Sequence, residues 1–271
     1  MDAARIDCLR DLLAGLGSVA IGYSGGVDST FLLAVATRVP GVRAVGFIGC
    51  SPAFPVREKE EAIRIAAQIG ATVRLIETRE LDDPDFTANS PTRCFRCKTS
   101  LFSTIAEAAA AEGLAHVLEG ANADDRNDFR PGMEATRALG VRSPLLELGF
   151  TKDEIRQLSQ QMNLPTWDKP SFACLASRIP WGSVITAEKL ARIEQAEDAL
   201  RDMGFVQCRV RDYDTQCRIE VLPGELGRLL DDSLREALVA RMKAAGYVHV
   251  ALDLEGYRTG AMNEVLVKVM P

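Results

Sequence analysis

The chain has 271 residues, of which 47% are hydrophobic and 26% charged, enough apolar material for one large and one small domain around buried cores. Its formal net charge of -6 offers no global field for nucleic acid, and its longest apolar runs stop well short of bilayer-spanning length. The N-terminal MDAARIDCLRDLL reads as an amphipathic helix rather than a signal peptide, so a cytoplasmic protein is expected, and seven unevenly spaced cysteines argue against a disulfide framework.

After that helix, Ser18-Val19-Ala20-Ile21-Gly22-Tyr23 reads as a short buried strand, and a helix is expected over 29–38. Between them lies Tyr23-Ser24-Gly25-Gly26-Val27-Asp28-Ser29-Thr30, a glycine turn with hydroxyls at a strand–helix junction. Gly25 and Gly26 can adopt positive φ and carry no Cβ to block a ligand, while backbone N–H groups and the hydroxyls of Ser24, Ser29 and Thr30 supply donors for an anion. Asp28 would repel a bare phosphate, which points to a magnesium ion (Mg2+) between carboxylate and phosphates. The bland alternative is a Gly-Gly turn with a Ser/Asp helix cap. The string lacks the Lys of a Walker A loop. It resembles the PP-loop of the ATP pyrophosphatases, which implies binding of ATP and activation of a substrate oxygen by adenylation.

Strand 42–48, helix 55–69, strand 72–77, helix 98–112, strand 116–119 and helix 151–161 follow, the rhythm of an α/β fold with a doubly wound parallel sheet. Ligands of such sheets bind beyond the carboxyl ends of the strands, which makes the segments 49–54, 79–97 and 120–134 the expected walls of the pocket. A second pattern, helix 187–203, strands 204–211 and 217–222, a helical stretch 224–245 and strand 247–254, predicts a smaller α+β domain with an antiparallel sheet. Ile179-Pro180-Trp181-Gly182-Ser183 marks the boundary, giving domains 1–183 and 184–271.

Cys94-Phe95-Arg96-Cys97 is a CxxC in a loop expected to open a helix, and Cys174 lies in Ser171-Phe172-Ala173-Cys174-Leu175-Ala176-Ser177-Arg178. Arg93, Arg96, Lys98 and Arg178 flank these cysteines, and neighbouring positive charge favours the thiolate. Three thiolates can hold a [4Fe-4S] cluster with one iron left open for sulfide. A zinc site would want a fourth ligand, and the two imidazoles, His116 and His249, lack ligand spacing to the cysteines; a redox pair is the other alternative. Cys8, Cys50, Cys208 and Cys217 read as packing positions. Arg209 and Arg211, two apart on an expected strand, face one side and suit a phosphate, against the alternative of an exposed charged strand face.

Taken together, SGGVDS at 24–29, PTRCFRCKTSLF at 91–102, EGANADD at 119–125, RSPLLELGFTKDEIR at 142–156, PSFACLASRIPWGS at 170–183, RVRDYD at 209–214, RIEV at 218–221 and LDLEGYRTGAMNE at 252–264 resemble the LarE family along nearly the whole chain. LarE proteins are ATP-dependent sulfur transferases in biosynthesis of the nickel-pincer nucleotide cofactor of lactate racemase. The resemblance implies pyridinium-3,5-biscarboxylic acid mononucleotide as substrate, its carboxylates adenylated with release of pyrophosphate and converted to thiocarboxylates in two rounds. Family members with only the cysteine matching Cys174 give up its sulfur and leave dehydroalanine. Those that also carry the CxxC are expected to hold a [4Fe-4S] cluster on three cysteines and to pass on sulfide, from inorganic sulfide or another donor. With Cys94, Cys97 and Cys174 this sequence falls with the second type.

By the same resemblance, Arg209 and Arg211 hold the substrate phosphate with Ser177 and Arg178, Glu220 and Arg258 are further candidates for that pocket, and the chain forms a homo-oligomer, a hexamer in the family. Two other readings predict different behaviour. A PP-loop tRNA thiolase would bind tRNA with a steep salt dependence, and an iron–sulfur or sulfide carrier would release no pyrophosphate.

Overall fold

A computed structural model describes residues 2–127, 131–258 and 260–263. The chain divides into two compact units, Met1–Glu80 with Cys94–Phe172, and Leu81–Arg93 with Ala173–Pro271. The second unit thus includes two segments, 81–93 and 173–183, that lie before the boundary read from the sequence. Segment 81–93 is tied to the chain around that boundary by backbone bonds, Gly182 N–H to Asn89 O and Ile185 N–H to Thr87 O.

The first unit opens with helix α1 (Asp2–Leu16), strand β1 (Ser18–Gly22), α2 (Val27–Thr37), β2 (Arg43–Cys50), α3 (Val56–Gln68) and β3 (Thr72–Glu77). After the short α4 (Pro84–Thr87) of the second unit come α5 (Arg93–Ala111), β4 (His116–Leu118), α6 (Pro131–Ala138), the single turn α7 (Pro144–Glu147) and α8 (Lys152–Gln161). The four strands form one parallel sheet in the order β3-β2-β1-β4. Central β1 is apolar at consecutive positions because both of its faces are covered. Val19 and Ile21 pack with Leu9, Leu13, Phe31 and Phe150, while Ala20 between them packs with Val45, Phe47, Phe102 and Ile105 of the other face.

Strand order reverses between β1 and β4, and ligands of open α/β sheets lie beyond the strand ends at such a point. The turn after β1 holds the SGGVDS string, and the segment after β4 holds Glu119–Asp125. Residues 128–130 of the expected wall 120–134 lie outside the described residues.

The second unit contains α9 (Ala187–Asp202), β5 (Cys208–Tyr213), β6 (Gln216–Val221), α10 (Asp232–Ala244) and β7 (His249–Leu252). β5 and β6 form a hairpin pairing Arg209 with Glu220 and Arg211 with Arg218. The expected antiparallel sheet needs correction, because β7 runs parallel to β6. A helical connection through α10 separates these strands, and a crossover of that kind returns the chain in the same direction. Leu200, Phe205, Val210, Ile219, Met242 and Tyr247 fill this core. No described helix is long and apolar enough to cross a membrane.

Candidate functional site

In the first unit, Gly25 takes φ +69°, where side chains other than glycine are strained, and a Cβ there would stand 2.7 Å from Ala62 Cβ. Both constraints require glycine. Gly26, expected to share the positive φ, is instead extended (φ -80°, ψ 167°) as the residue before α2. Ser24 Oγ and Ser29 Oγ lie 3.2 Å apart, the Ser24 N–H donates to Ser29 Oγ at 3.3 Å, and the Gly26 N–H reaches Ser24 Oγ at 3.4 Å. These hydroxyls hold the turn open at the N-terminus of α2, the positive end of its dipole. A glycine turn lined with hydroxyls and amides at a helix N-terminus fits a phosphate. Thr30 is fully buried, one residue further along the helix.

Asp28 carries a cation already. Its Oδ2 accepts from Lys152 Nζ at 2.6 Å and its Oδ1 from Asn122 Nδ2 at 3.3 Å. Lys152 opens α8, whose first turn is fixed by a reciprocal capping box between Thr151 and Glu154, and its backbone N–H donates to Asp124 Oδ2 at 2.8 Å. Gly120 lets the EGANADD segment lie against α2, since a Cβ there would stand 3.0 Å from Ser29 N. Just before it, the buried carboxylate of Glu119 accepts from Lys98 Nζ at 2.5 Å, Thr136 Oγ1 at 2.7 Å and Ser143 Oγ at 3.2 Å.

Cys94 and Cys97 are in α5 itself, which starts at Arg93 rather than at the expected 98, so the pair lies three residues apart on one helical face at the positive end of the dipole. Cys94 is exposed and Cys97 half-buried, its thiol 3.8 Å from Glu80 Oε1. Arg96 is exposed. Among the described residues, no group of three or more His, Cys, Asp or Glu is gathered as for a metal ion. The donor chemistry of a cluster is present in each unit, two thiols in the first and the half-buried Cys174 in the second.

In the second unit, Cys174 caps a short 3-10 turn, Leu175–Arg178. Its carbonyl accepts from Ser177 N–H (3.0 Å), Ser177 Oγ (2.8 Å) and Arg178 Nη1 (2.9 Å), which fixes the backbone beneath the thiol. Arg178 is fully buried and forms a two-pronged pair with Glu197, at 2.8 and 3.0 Å. Burial opposes ionisation of Glu197, but the guanidiniums of Arg178, Arg209 and Arg201 outweigh it and hold its pKa below the ordinary carboxylate value. Arg93, expected to act beside the thiols, is buried with its guanidinium on Asn89 Oδ1, Ala176 O and the Trp181 ring.

Arg209 and Arg211 are each 5% exposed, so their strand face is not a solvated one. Arg211 pairs through two bonds with Glu220 at 2.8 and 2.7 Å and donates to Ser177 O at 3.0 Å. Glu220 also accepts from Arg218 at 3.1 Å, and so enters as counter-ion to guanidinium groups. Burial and the neighbouring Arg178 charge lower the pKa of Arg209, which lies 5.0 Å over the Tyr257 ring. That ring is placed by Gly256 (φ +72°), whose missing Cβ lets the Tyr257 N–H bond to Val221 O at 2.8 Å. Three buried guanidiniums, Arg178, Arg209 and Arg211, thus share a neighbourhood with two buried carboxylates, Glu197 and Glu220, a balance that suits an anion. Arg258 is exposed and pairs with Glu255 at 2.7 Å; Thr259 and Glu264 of the same motif lie outside the described residues.

Glu197 lies outside every motif read from the sequence, whereas Asn122, Lys152 and Tyr257 fall within segments that resemble the family but are not singled out there. Cys208 and Cys217 are core residues, as expected, whereas Cys8 is exposed on α1 and Cys50 half-buried at the end of β2, contrary to the packing role read for both.

No family model matches the chain. Among relatives, it is 42% identical to the uncharacterized protein slr1717 of Synechocystis over 98% of its length and 99% of the relative's. It is 34% identical to the pyridinium-3,5-bisthiocarboxylic acid mononucleotide synthase of Lactiplantibacillus plantarum over 98% of its length and 95% of that protein's. The uncharacterized protein MJ0830 of Methanocaldococcus jannaschii is 27% identical over 89% of the chain and 91% of its own. A parallel sheet with a glycine turn after its first strand is consistent with a PP-loop-like α/β protein. Within that class, end-to-end similarity to the named synthase decides the matter: the chain belongs to the LarE family.

Proposed function

We propose that the chain is an ATP-dependent sulfur transferase that acts on pyridinium-3,5-biscarboxylic acid mononucleotide, on a doubly wound PP-loop domain followed by a smaller α+β domain. The observation that carries the reading is the full-length similarity to the synthase of L. plantarum, in a chain whose glycine turn is lined with the Ser24 and Ser29 hydroxyls at the N-terminus of α2. Ser24, Gly25, Gly26, Ser29 and Thr30 bind the pyrophosphate part of ATP, and Asp28 holds a magnesium ion, which when bound neutralises the phosphates. A substrate carboxylate oxygen attacks the α-phosphorus, pyrophosphate leaves, and a sulfur nucleophile then displaces AMP from the acyl carbon. Adenylation is needed because a carboxylate is a poor electrophile and AMP is a good leaving group.

Arg209 and Arg211, with Ser177 and Arg178, hold the mononucleotide phosphate. Glu220 orients Arg211, and Arg258 is a further contact. Cys94, Cys97 and Cys174 are the three thiolates for a [4Fe-4S] cluster, which when present carries the sulfide that is transferred. Assembly as a homo-oligomer and a cytoplasmic location complete the proposal. It is tested by pyrophosphate release in the presence of ATP, Mg2+, the biscarboxylic mononucleotide and sulfide. Release should require the mononucleotide and be lost in Asp28→Asn and Ser29→Ala; release in its absence, or undiminished release from both variants, would count against it.

A further inference from the structure

Lys152 opens α8, where a cation opposes the helix dipole. Its position is nonetheless fixed from two sides, by the Thr151–Glu154 capping box and by Asp124 accepting from its backbone N–H. The side chain so anchored reaches Asp28, at the second position of α2, with 29% of its surface still exposed. Asp28 is the acidic residue in the first turn of α2, the helix that begins at the phosphate cradle. A triphosphate entering the Gly25 turn would therefore meet a carboxylate that repels it and an ammonium group that attracts it, joined in one pair.

We propose that Lys152 is a nucleotide-phosphate ligand held in reserve by Asp28, an inference that rests on the ATP-binding reading above. Without nucleotide, the pair neutralises both charges beside the cradle. When a triphosphate binds, Lys152 leaves Asp28 for the phosphate oxygens, and the freed carboxylate is open to a magnesium ion. The exchange keeps each charge compensated in both states, and the four-carbon stem of lysine gives the reach it needs. Asn122, which donates to Asp28 Oδ1, holds the carboxylate in place while its partner changes. No bond is made or broken covalently.

The test is calorimetric titration of the full-length protein with α,β-methylene ATP, in Mg2+ and in EDTA. With Mg2+, Lys152→Met should weaken binding about tenfold to a hundredfold, the usual effect of losing one charge-assisted contact. In EDTA, Asp28→Asn should bind the analogue more tightly than wild type, because repulsion is removed and Lys152 is released. The double variant Asp28→Asn/Lys152→Met should lose that gain. Wild-type affinity in Lys152→Met, or a gain that survives in the double variant, overturns the inference and leaves the ATP reading standing. No binding of the analogue by wild type in Mg2+ overturns both. Should Lys152→Met fail to fold, as judged by its thermal melt, Asp28→Asn alone decides: no tightening in EDTA overturns the exchange.

Discussion

Lys98 Nζ donates to the buried carboxylate of Glu119 at 2.5 Å, joining the residue after the CxxC to the strand end beside the glycine turn. Thr136 and Ser143 give Glu119 two further donors, so its removal strands several polar groups at once. Glu119→Ala should cost about 1–3 kcal/mol of stability, the usual penalty for orphaned buried donors, read as a lower melting temperature. An unchanged melt would show that these groups find water instead.

Gly25 and Gly15 make a matched pair. Gly25→Ala places a Cβ 2.7 Å from Ala62 Cβ at φ +69°, so it should destabilise by about 1–3 kcal/mol and weaken ATP binding. At Gly15, inside α1, a Cβ meets nothing within 4 Å. Gly15→Ala should be neutral or stabilise by about 0.5–1 kcal/mol. Denaturant titration of both variants checks the contrast, and equal effects would contradict the placement of the turn.

Arg209→Ala and Arg211→Ala should weaken binding of the mononucleotide by about 1.5–3 kcal/mol, roughly tenfold to a hundredfold, and leave ATP affinity near wild type. Arg211→Ala also takes from Glu220 its two-pronged partner, so its melt should fall further than that of Arg209→Ala. Calorimetry with each ligand separates the effects. An equal loss for both ligands, or none, would remove the phosphate assignment.

The cysteines should fall into two groups. Burial pushes Cys208 up to about 12 and Cys217 to about 11 from an ordinary 9.0, so both stay protonated and should resist iodoacetamide near neutral pH, while exposed Cys8 and Cys94 are alkylated. Because the folded-state values are raised, their contribution to stability is complete below about pH 9 and is lost as pH rises toward 11–12. Alkaline melts of Cys208→Ala and Cys217→Ala should show a shallower decline over that range. Separately, anaerobically prepared protein should show the absorption and Mössbauer signature of one [4Fe-4S] cluster, lost on Ser substitution of Cys94, Cys97 or Cys174. Recovery of Cys174 as dehydroalanine in step with product would instead mean that it surrenders its own sulfur.

What could be read directly from the sequence was what is local. An apolar run, a glycine turn and a second apolar run announce β1, the cradle and α2, because each is set by residues within a few positions of one another. The start of α5 is not legible in the sequence because Arg93 is held by Asn89, Ala176 and Trp181, the last two some eighty residues along the chain. Arg209 and Arg211 are legible as a same-face pair, but their burial is not, since Arg209 lies over the Tyr257 ring near Glu197 of α9, and Arg211 is enclosed with Glu220 and the Ser177 carbonyl. Lys152 lies 124 residues from Asp28, and a lysine at a helix start reads as surface charge until the fold brings the two together.

Carboxylate adenylation is tested most directly by the fate of the substrate's own oxygen. The biscarboxylic mononucleotide is labelled with heavy oxygen in both carboxylates and incubated with the protein, ATP, Mg2+ and sulfide, and AMP, pyrophosphate and nucleotide are weighed by mass spectrometry. Displacement from an acyl adenylate predicts one labelled oxygen in each AMP formed, one sulfur gained by the nucleotide for each AMP, and no label in pyrophosphate. Unlabelled AMP, or thiolated product formed without AMP, would contradict it.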